Sequence, residues 1–328
     1  MRTLTSTRLR TVLASALILS ACAEAPAVDE RPQAPAVQEI ALVASTPEPS
    51  ATYEPIESRE PPPRVSLSTG RTAHLFELFD RGRFSNPTAI SNPWLPMIPG
   101  TRMVYEGFTR EDGETIQHRL VFTVTDLVKD IDGIMSRVIW DVDYSDGELV
   151  ETELAFFAQD DRGSVWRMGE YPEEWEEGAF IDAPAWIAGV EGARAGIAMQ
   201  ASPAVGAASY SQGWGPAVDF TDRAYVLERG IDDCVRIDCY SPVLVINEFN
   251  EEEPEANQLK YYAERVGNIR VGWRGDDTSI EELELVEIIQ LTAEELAEVR
   301  KAALTLEERA YILRPEVYGP TEPSTPQG

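Results

Sequence analysis

Met103-Val104-Tyr105-Glu106-Gly107-Phe108, then Leu120-Val121-Phe122-Thr123-Val124 through Val128, then Ile134 to Tyr144, then Leu149 to Phe157, is the stretch that decides the fold. Its β-branched and aromatic residues recur with period two, the spacing that turns one face of a strand to a core. Asp112-Gly113, Asp132-Gly133 and Asp146-Gly147 interrupt it, each a pair suited to a tight hairpin. Three such turns in succession predict an antiparallel meander.

The same signal continues outward in Val165 to Met168, Ala224 to Glu228, Val235 to Ile237, Val243 to Phe249, Leu259 to Ala263, Ile269 to Trp273 and Glu284 to Gln290. The fold class is therefore mainly β: a large antiparallel curved sheet, sandwich or half-barrel. One C-terminal α-helix completes it. Thr292 and Glu295 form a capping box, Leu291 can staple onto Leu296, and Leu296, Val299, Ala303 and Leu306 recur at helical spacing. A shorter helix is expected around residues 73–79. The proline-rich run 84–102 cannot be a regular strand, because prolines remove ladder donors, and should wrap the surface as an extended arm.

The chain begins with a basic start at Arg2, Arg8 and Arg10 and an apolar segment from Val12 to Leu19, too short to span a bilayer. Leu19-Ser20-Ala21-Cys22 closes it and resembles the bacterial lipobox. That resemblance implies a lipoprotein signal peptide over 1–21, cleavage before Cys22 and acylation of that cysteine, so that the membrane partner is reached through lipid. Ala23, where an Asp would signal inner-membrane retention, implies the outer membrane, with the body facing the periplasm. Two or three acyl chains anchor stably where one does not. Residues 22–68, dense in Pro, Ala and Glu, read as a disordered tether. Residues 69–314 read as a single β-rich domain, and 315–328 as a disordered tail.

With 57 acids against 28 lysines and arginines, the net charge is −29, and removal of residues 1–21 takes it to about −32. Such a surface repels phosphate backbones, which excludes nucleic acid as a partner. Once Cys22 is assigned to lipid, Cys234 and Cys239 remain as a pair suited to a disulfide in an oxidising compartment.

Asn92-Pro93-Trp94-Leu95-Pro96 before Pro99-Gly100-Thr101-Arg102, the segment Ala158-Gln159-Asp160-Asp161-Arg162-Gly163-Ser164-Val165-Trp166-Arg167-Met168-Gly169-Glu170, and Lys260-Tyr261-Tyr262-Ala263 before Val266-Gly267-Asn268-Ile269 resemble a family of uncharacterised bacterial secreted proteins and lipoproteins. The resemblance covers about residues 84–290 and implies a β-rich extracytoplasmic domain. It implies no chemistry. Arg167-Met168 depart from it where aromatics are expected, and so does the cysteine pair.

The sequence favours a ligand-binding or envelope-interaction module over an enzyme. A concave sheet could line an apolar cavity with Trp94, Trp140, Trp166 and Trp186 and accept a lipid or other amphiphile, or the domain could dock an envelope protein. The alternative is a glycan hydrolase in which Asp160 or Asp161 converges with Glu170 as a carboxylate pair, beside Trp166 and Trp186 as sugar platforms. There is no Gly-x-Ser-x-Gly, and His74 and His118 are the only histidines; His118 reads as a solvent-facing strand residue. No cofactor motif is present, since Gly189 to Gly196 lacks Gly-Lys-Ser/Thr. Asp141 to Gly147 resembles an EF-hand opening, but its glycine is one place late, so no metal set is assigned.

Overall fold

The computed structural model describes residues 75–327 apart from 112, 251–255 and 276–279. The signal peptide, Cys22, the tether and His74 lie outside the described residues. After a single 3-10 turn at Arg81–Arg83, the meander runs through β1 (Thr101–Glu111), β2 (Glu114–Ile131), β3 (Ile134–Ser145), β4 (Glu148–Gln159) and β5 (Val165–Glu176). Asp132-Gly133 and Asp146-Gly147 turn the chain with both residues at positive φ, as two-residue hairpins with this handedness require.

Short pieces follow: β6 (Ala179–Asp182), β7 (Trp186–Ile187), β8 (Arg194–Met199), β9 (Tyr210–Ser211) and β10 (Gly213–Trp214). Then come the longer β11 (Arg223–Val235), β12 (Asp238–Phe249), β13 (Asn257–Ala263), β14 (Gly267–Arg274) and β15 (Ile280–Gln290). Last are α1 (Ala293–Leu313), α2 (Pro315–Tyr318) and β16 (Thr325–Pro326).

All strands belong to one sheet, ordered β10-β8-β5-β4-β3-β2-β1-β15-β14-β13-β12-β11-β9 along its main path. The named pairs are antiparallel, and bulges at Val104/Tyr105, Asp143/Tyr144, Phe156/Phe157 and Tyr261/Tyr262 bend it. The two ends of this path, β9 and β10, are separated in sequence by Gln212 alone, so the sheet curls until its edges meet. The expected large curved antiparallel sheet is what the chain adopts, and it curls past a half-barrel to a nearly closed barrel. At the closing seam Gly196 lets the backbones touch: a Cβ there would lie 2.2 Å from the Gly213 nitrogen.

Helix α1 lies outside β2 and β4, with Val299, Ala303, Leu306 and Ala310 buried and the expected Thr292/Glu295 capping box in place. The expected helix near residues 73–79 is not formed among the described residues, where 75–80 are irregular. Phe79 instead packs edge-on against Trp166 at 5.0 Å. The proline-rich arm does more than wrap the surface. Ile90, Trp94 and Met97 are buried in the main core, Arg265 N donates to Pro93 O, and Asn92 Nδ2 donates to Gly163 O. The arm thus ties the β13–β14 turn to the β4–β5 turn and closes that end of the barrel.

The tail expected to be disordered is ordered through residue 327. Tyr318 is fully buried between Tyr171 and Tyr311, each with ring centroids 5.3 Å away, and β16 pairs with β2. The reason lies beneath it. Lys129, 0 % exposed on β2, donates to Glu307 Oε1 at 2.8 Å and to Glu322 O at 2.7 Å, while Ser324 N and Oγ donate to Glu307. A buried ion pair needs its remaining lone pairs and protons satisfied, and the tail supplies them. The prolines fit because β16 is an edge strand. Cys234 and Cys239 form the expected disulfide, directly opposite each other in the β11–β12 hairpin.

Candidate functional site

The barrel interior changes character along its axis. Near the capped end the inward residues are apolar: Ile139 on β3, Phe157 on β4, Ile246 on β12 and Tyr262 on β13 all join the main core with Trp94. Two residues further along β3, β12 and β13, and four along β4, the same face becomes charged. Asp141 sits opposite Glu153, Ile246 gives way to Glu248, Tyr262 gives way to Lys260, and Glu170 on β5 lies opposite Ala155. Another step gives Asp143 opposite Glu151, with His118 and Glu281 beside them.

Arg167 is the hub of the first charged layer. Its guanidinium lies 5.7 Å from the rings of both Phe157 and Phe220, and Nη1 donates to Glu170 Oε2 at 2.9 Å. Across the lumen, Lys260 pairs with Glu248 at 3.0 Å, and Gln212, the seam residue, donates to Glu248 Oε1 at 2.6 Å. Arg167, Lys260 and Glu248 keep 19, 17 and 15 % of their side-chain exposure, so the layer is enclosed by protein yet reached by water.

Carboxylates outnumber these cations, and their proton affinities record it. Burial, then the charge of Asp143, pushes Asp141 up to about 8; burial and Asp141 push Glu153 to about 7. Burial raises Glu170 to about 7 against the pull of Arg167, and burial with Glu170 raises Asp222 to about 7. Glu151 is raised by burial and by Glu153. Glu281 is raised by burial against the pull of His118. Glu248 alone moves down: burial opposes it, but Lys260, Gln212 and Arg167 prevail. Asp141 Oδ1 is buried without a hydrogen-bond partner.

His118, expected to face solvent, is 4 % exposed. It reaches inward because Gly107, opposite it on β1, has no side chain in the way and lets β15 approach. A Cβ on Gly107 would lie 1.8 Å from Glu282 O. The imidazole Nε2 meets Asp143 Oδ1, and Nδ1 lies 3.2 Å from Glu281 Oε1. Burial works against the imidazolium, but the hydrogen bond and charge of Asp143 and the charge of Glu281 outweigh it and raise the His118 pKa.

Of the residues expected to bind ligand, Glu170 faces this lumen, and Trp186 lies at its seam, stacked on Phe220 at 5.0 Å. The others are structural in their contacts. Asp160 Oδ1 accepts from Arg162 N and Ser164 N, and its Oδ2 accepts from Trp166 Nε1 at 3.0 Å. Asp160 therefore holds a turn and does not share a partner with Glu170. Trp94 is core, under Arg229 at 5.5 Å, and Trp140 donates to Thr152. Trp94 and Trp166 belong to the main core with Trp140 packed against it, while Trp186 belongs to a separate cluster with Ala193 and Phe220. The charged layers escaped notice because their members come from seven strands, although Asp141-Val142-Asp143 and Glu151-Thr152-Glu153 signal them: acids at i and i+2 share a strand face.

No family model matches the chain, and no curated relative does. Two solved structures are similar. One, from Bacteroides fragilis, is provisionally described as an exported protein with a YmcC-like fold; it is 13% identical over 60% of this chain and 98% of its own, with a TM-score of 0.34. The other, from Parabacteroides distasonis, is provisionally described as a lipoprotein and is 9% identical over 60% and 97%, with a TM-score of 0.31. Neither likeness is close enough to carry a function across.

Proposed function

We propose that the protein is a lipoprotein of the bacterial envelope, tethered through Cys22 and residues 22–68, whose barrel binds a small ligand carrying an amine or guanidinium group. Outer-membrane anchoring with the barrel in the periplasm is part of the reading and rests on the lipobox and Ala23. The observation that carries the binding role is the lumen's uncompensated carboxylates. Burial raises Asp141 to about 8 and Glu153, Glu170 and Asp222 to about 7, and the cations that face them, Arg167 and Lys260, offset it only in part.

A cationic guest would relieve that imbalance and displace those protons. This chemistry favours a polar cation over a lipid, since the tryptophans expected to receive acyl chains are packed into the core. The glycan-hydrolase alternative is not supported by its proposed pair, with Asp160 engaged in a turn and Asp161 accepting from Ser85 N and Oγ at the exposed surface; Asp141 and Glu153 are neighbours on one wall, which suits sharing a proton better than flanking a bond.

Isothermal titration of the full-length chain in detergent with spermidine at pH 7 tests this. Binding with a heat that depends on the buffer's ionisation enthalpy, showing proton release, is the expected result. Binding without proton release, or none up to millimolar spermidine, overturns it.

A further inference from the structure

We propose that His118 and Glu281 bind a divalent transition-metal ion such as Zn2+, with Asp143 as the positioning residue that fixes the imidazole. The inference stands apart from the amine-binding reading, since it needs no organic guest.

Donor atoms of the three residues all lie within 4.8 Å of one another, and the side chains of His118, Asp143 and Glu281 are 3, 8 and 10 % exposed. Asp143 takes the proton on Nε2, and a carboxylate on one ring nitrogen is the arrangement that aims the other at a metal. The remaining nitrogen, Nδ1, is buried and makes no hydrogen bond. Yet Glu281 Oε1 is only 3.2 Å away.

An Nδ1 lone pair facing a carboxylate oxygen is repulsive unless something positive lies between them. A proton on Nδ1 makes a charged pair with Glu281 at this distance, but not the nearly straight N–H···O bond that would satisfy both atoms. A metal ion has no such requirement: donors 3.2 Å apart can each lie about 2.1 Å from a common ion at an angle of about 100°. Gln258 Nε2, donating to Glu281 Oε2 at 2.7 Å, leaves Oε1 directed at Nδ1. One imidazole with carboxylate oxygen suits zinc better than calcium or magnesium, which prefer all-oxygen sites.

The chain carries two histidines, which gives the test its resolution. The full-length chain with ¹⁵N-labelled histidine, and its His74→Gln variant, would be titrated with Zn2+ and followed through the ring nitrogens. The expected result is that the one ring surviving in His74→Gln shows a saturable shift of Nδ1 to a metal-bound value while Nε2 stays protonated. Glu281→Gln should weaken Zn2+ at least tenfold by calorimetry, and Glu298→Gln, on the exposed face of α1, should not.

Zn2+ that leaves the His118 ring signals unmoved, moves Nε2 in place of Nδ1, or binds equally to Glu281→Gln overturns the proposal. Spermidine titration does not require Nδ1, so failure here is separable from failure of the amine-binding reading. Should Glu281→Gln not fold, the ring-nitrogen titration of the unaltered chain decides alone.

Discussion

Glu170 shows how a residue inside the barrel makes stability depend on pH. Its folded pKa is about 7, raised by burial, against 4.5 for the free side chain. Between those values the unfolded chain has lost the proton and the folded chain keeps it, so raising pH favours unfolding across this window. The contribution is on the order of 3 kcal/mol by the conversion of one pKa unit to about 1.4 kcal/mol. Thermal melts should therefore show stability falling from about pH 5 to pH 8, and Glu170→Gln should flatten that fall. A wild-type profile rising over the same range would contradict the assignment. His118 makes the complementary point about legibility. Its neighbours in Gln117-His118-Arg119 are those of a solvent-facing strand edge, and its buried side chain depends on Gly107 and Glu281, which lie on other strands.

Among the elements, the last fourteen residues were least legible. Gly319-Pro320 and the later prolines carry every local mark of disorder, yet a buried lysine on β2 requires what they supply. Truncation after residue 313 would remove Tyr318 from the core and leave Glu307 without Ser324. The expected loss is about 3–5 kcal/mol in urea unfolding, comparable to breaking a buried ion pair. Lys129→Met should cost a similar amount. In the truncated chain it should cost much less, because the network is already broken. The meander and α1, by contrast, could be read directly. Hairpin pairs, period-two alternation and the capping box are local signals, formed by residues within a few positions of one another.

At the scale of the molecule, the sequence announces strands but not how far the sheet curls. Closure depends on bulges and on backbone contacts at Gly196 and Gly213, and neither leaves a periodic trace. The interior charge was legible only in part, as paired acids on β3 and β4, because the opposing wall is built from strands a hundred residues away. The seam itself is thin. Gln212 joins two strands whose registers are each two residue pairs long, Tyr210–Ser211 on β11 and Gly213–Trp214 on β8, beside hairpins of ten pairs elsewhere. Free energy of opening follows the number of such bonds, so amide hydrogens of 210–214 should exchange with solvent orders of magnitude faster than those of β2 and β3. In mechanical terms the barrel is a sprung ring with a weak weld at this seam, where the joint hangs on two-residue strands; the β14–β15 joint is also two pairs long but lies between longer strands. Parting along the seam would leave the long hairpins intact and, because the line runs beside Glu248, would open a route for a solute from outside to the charged lumen.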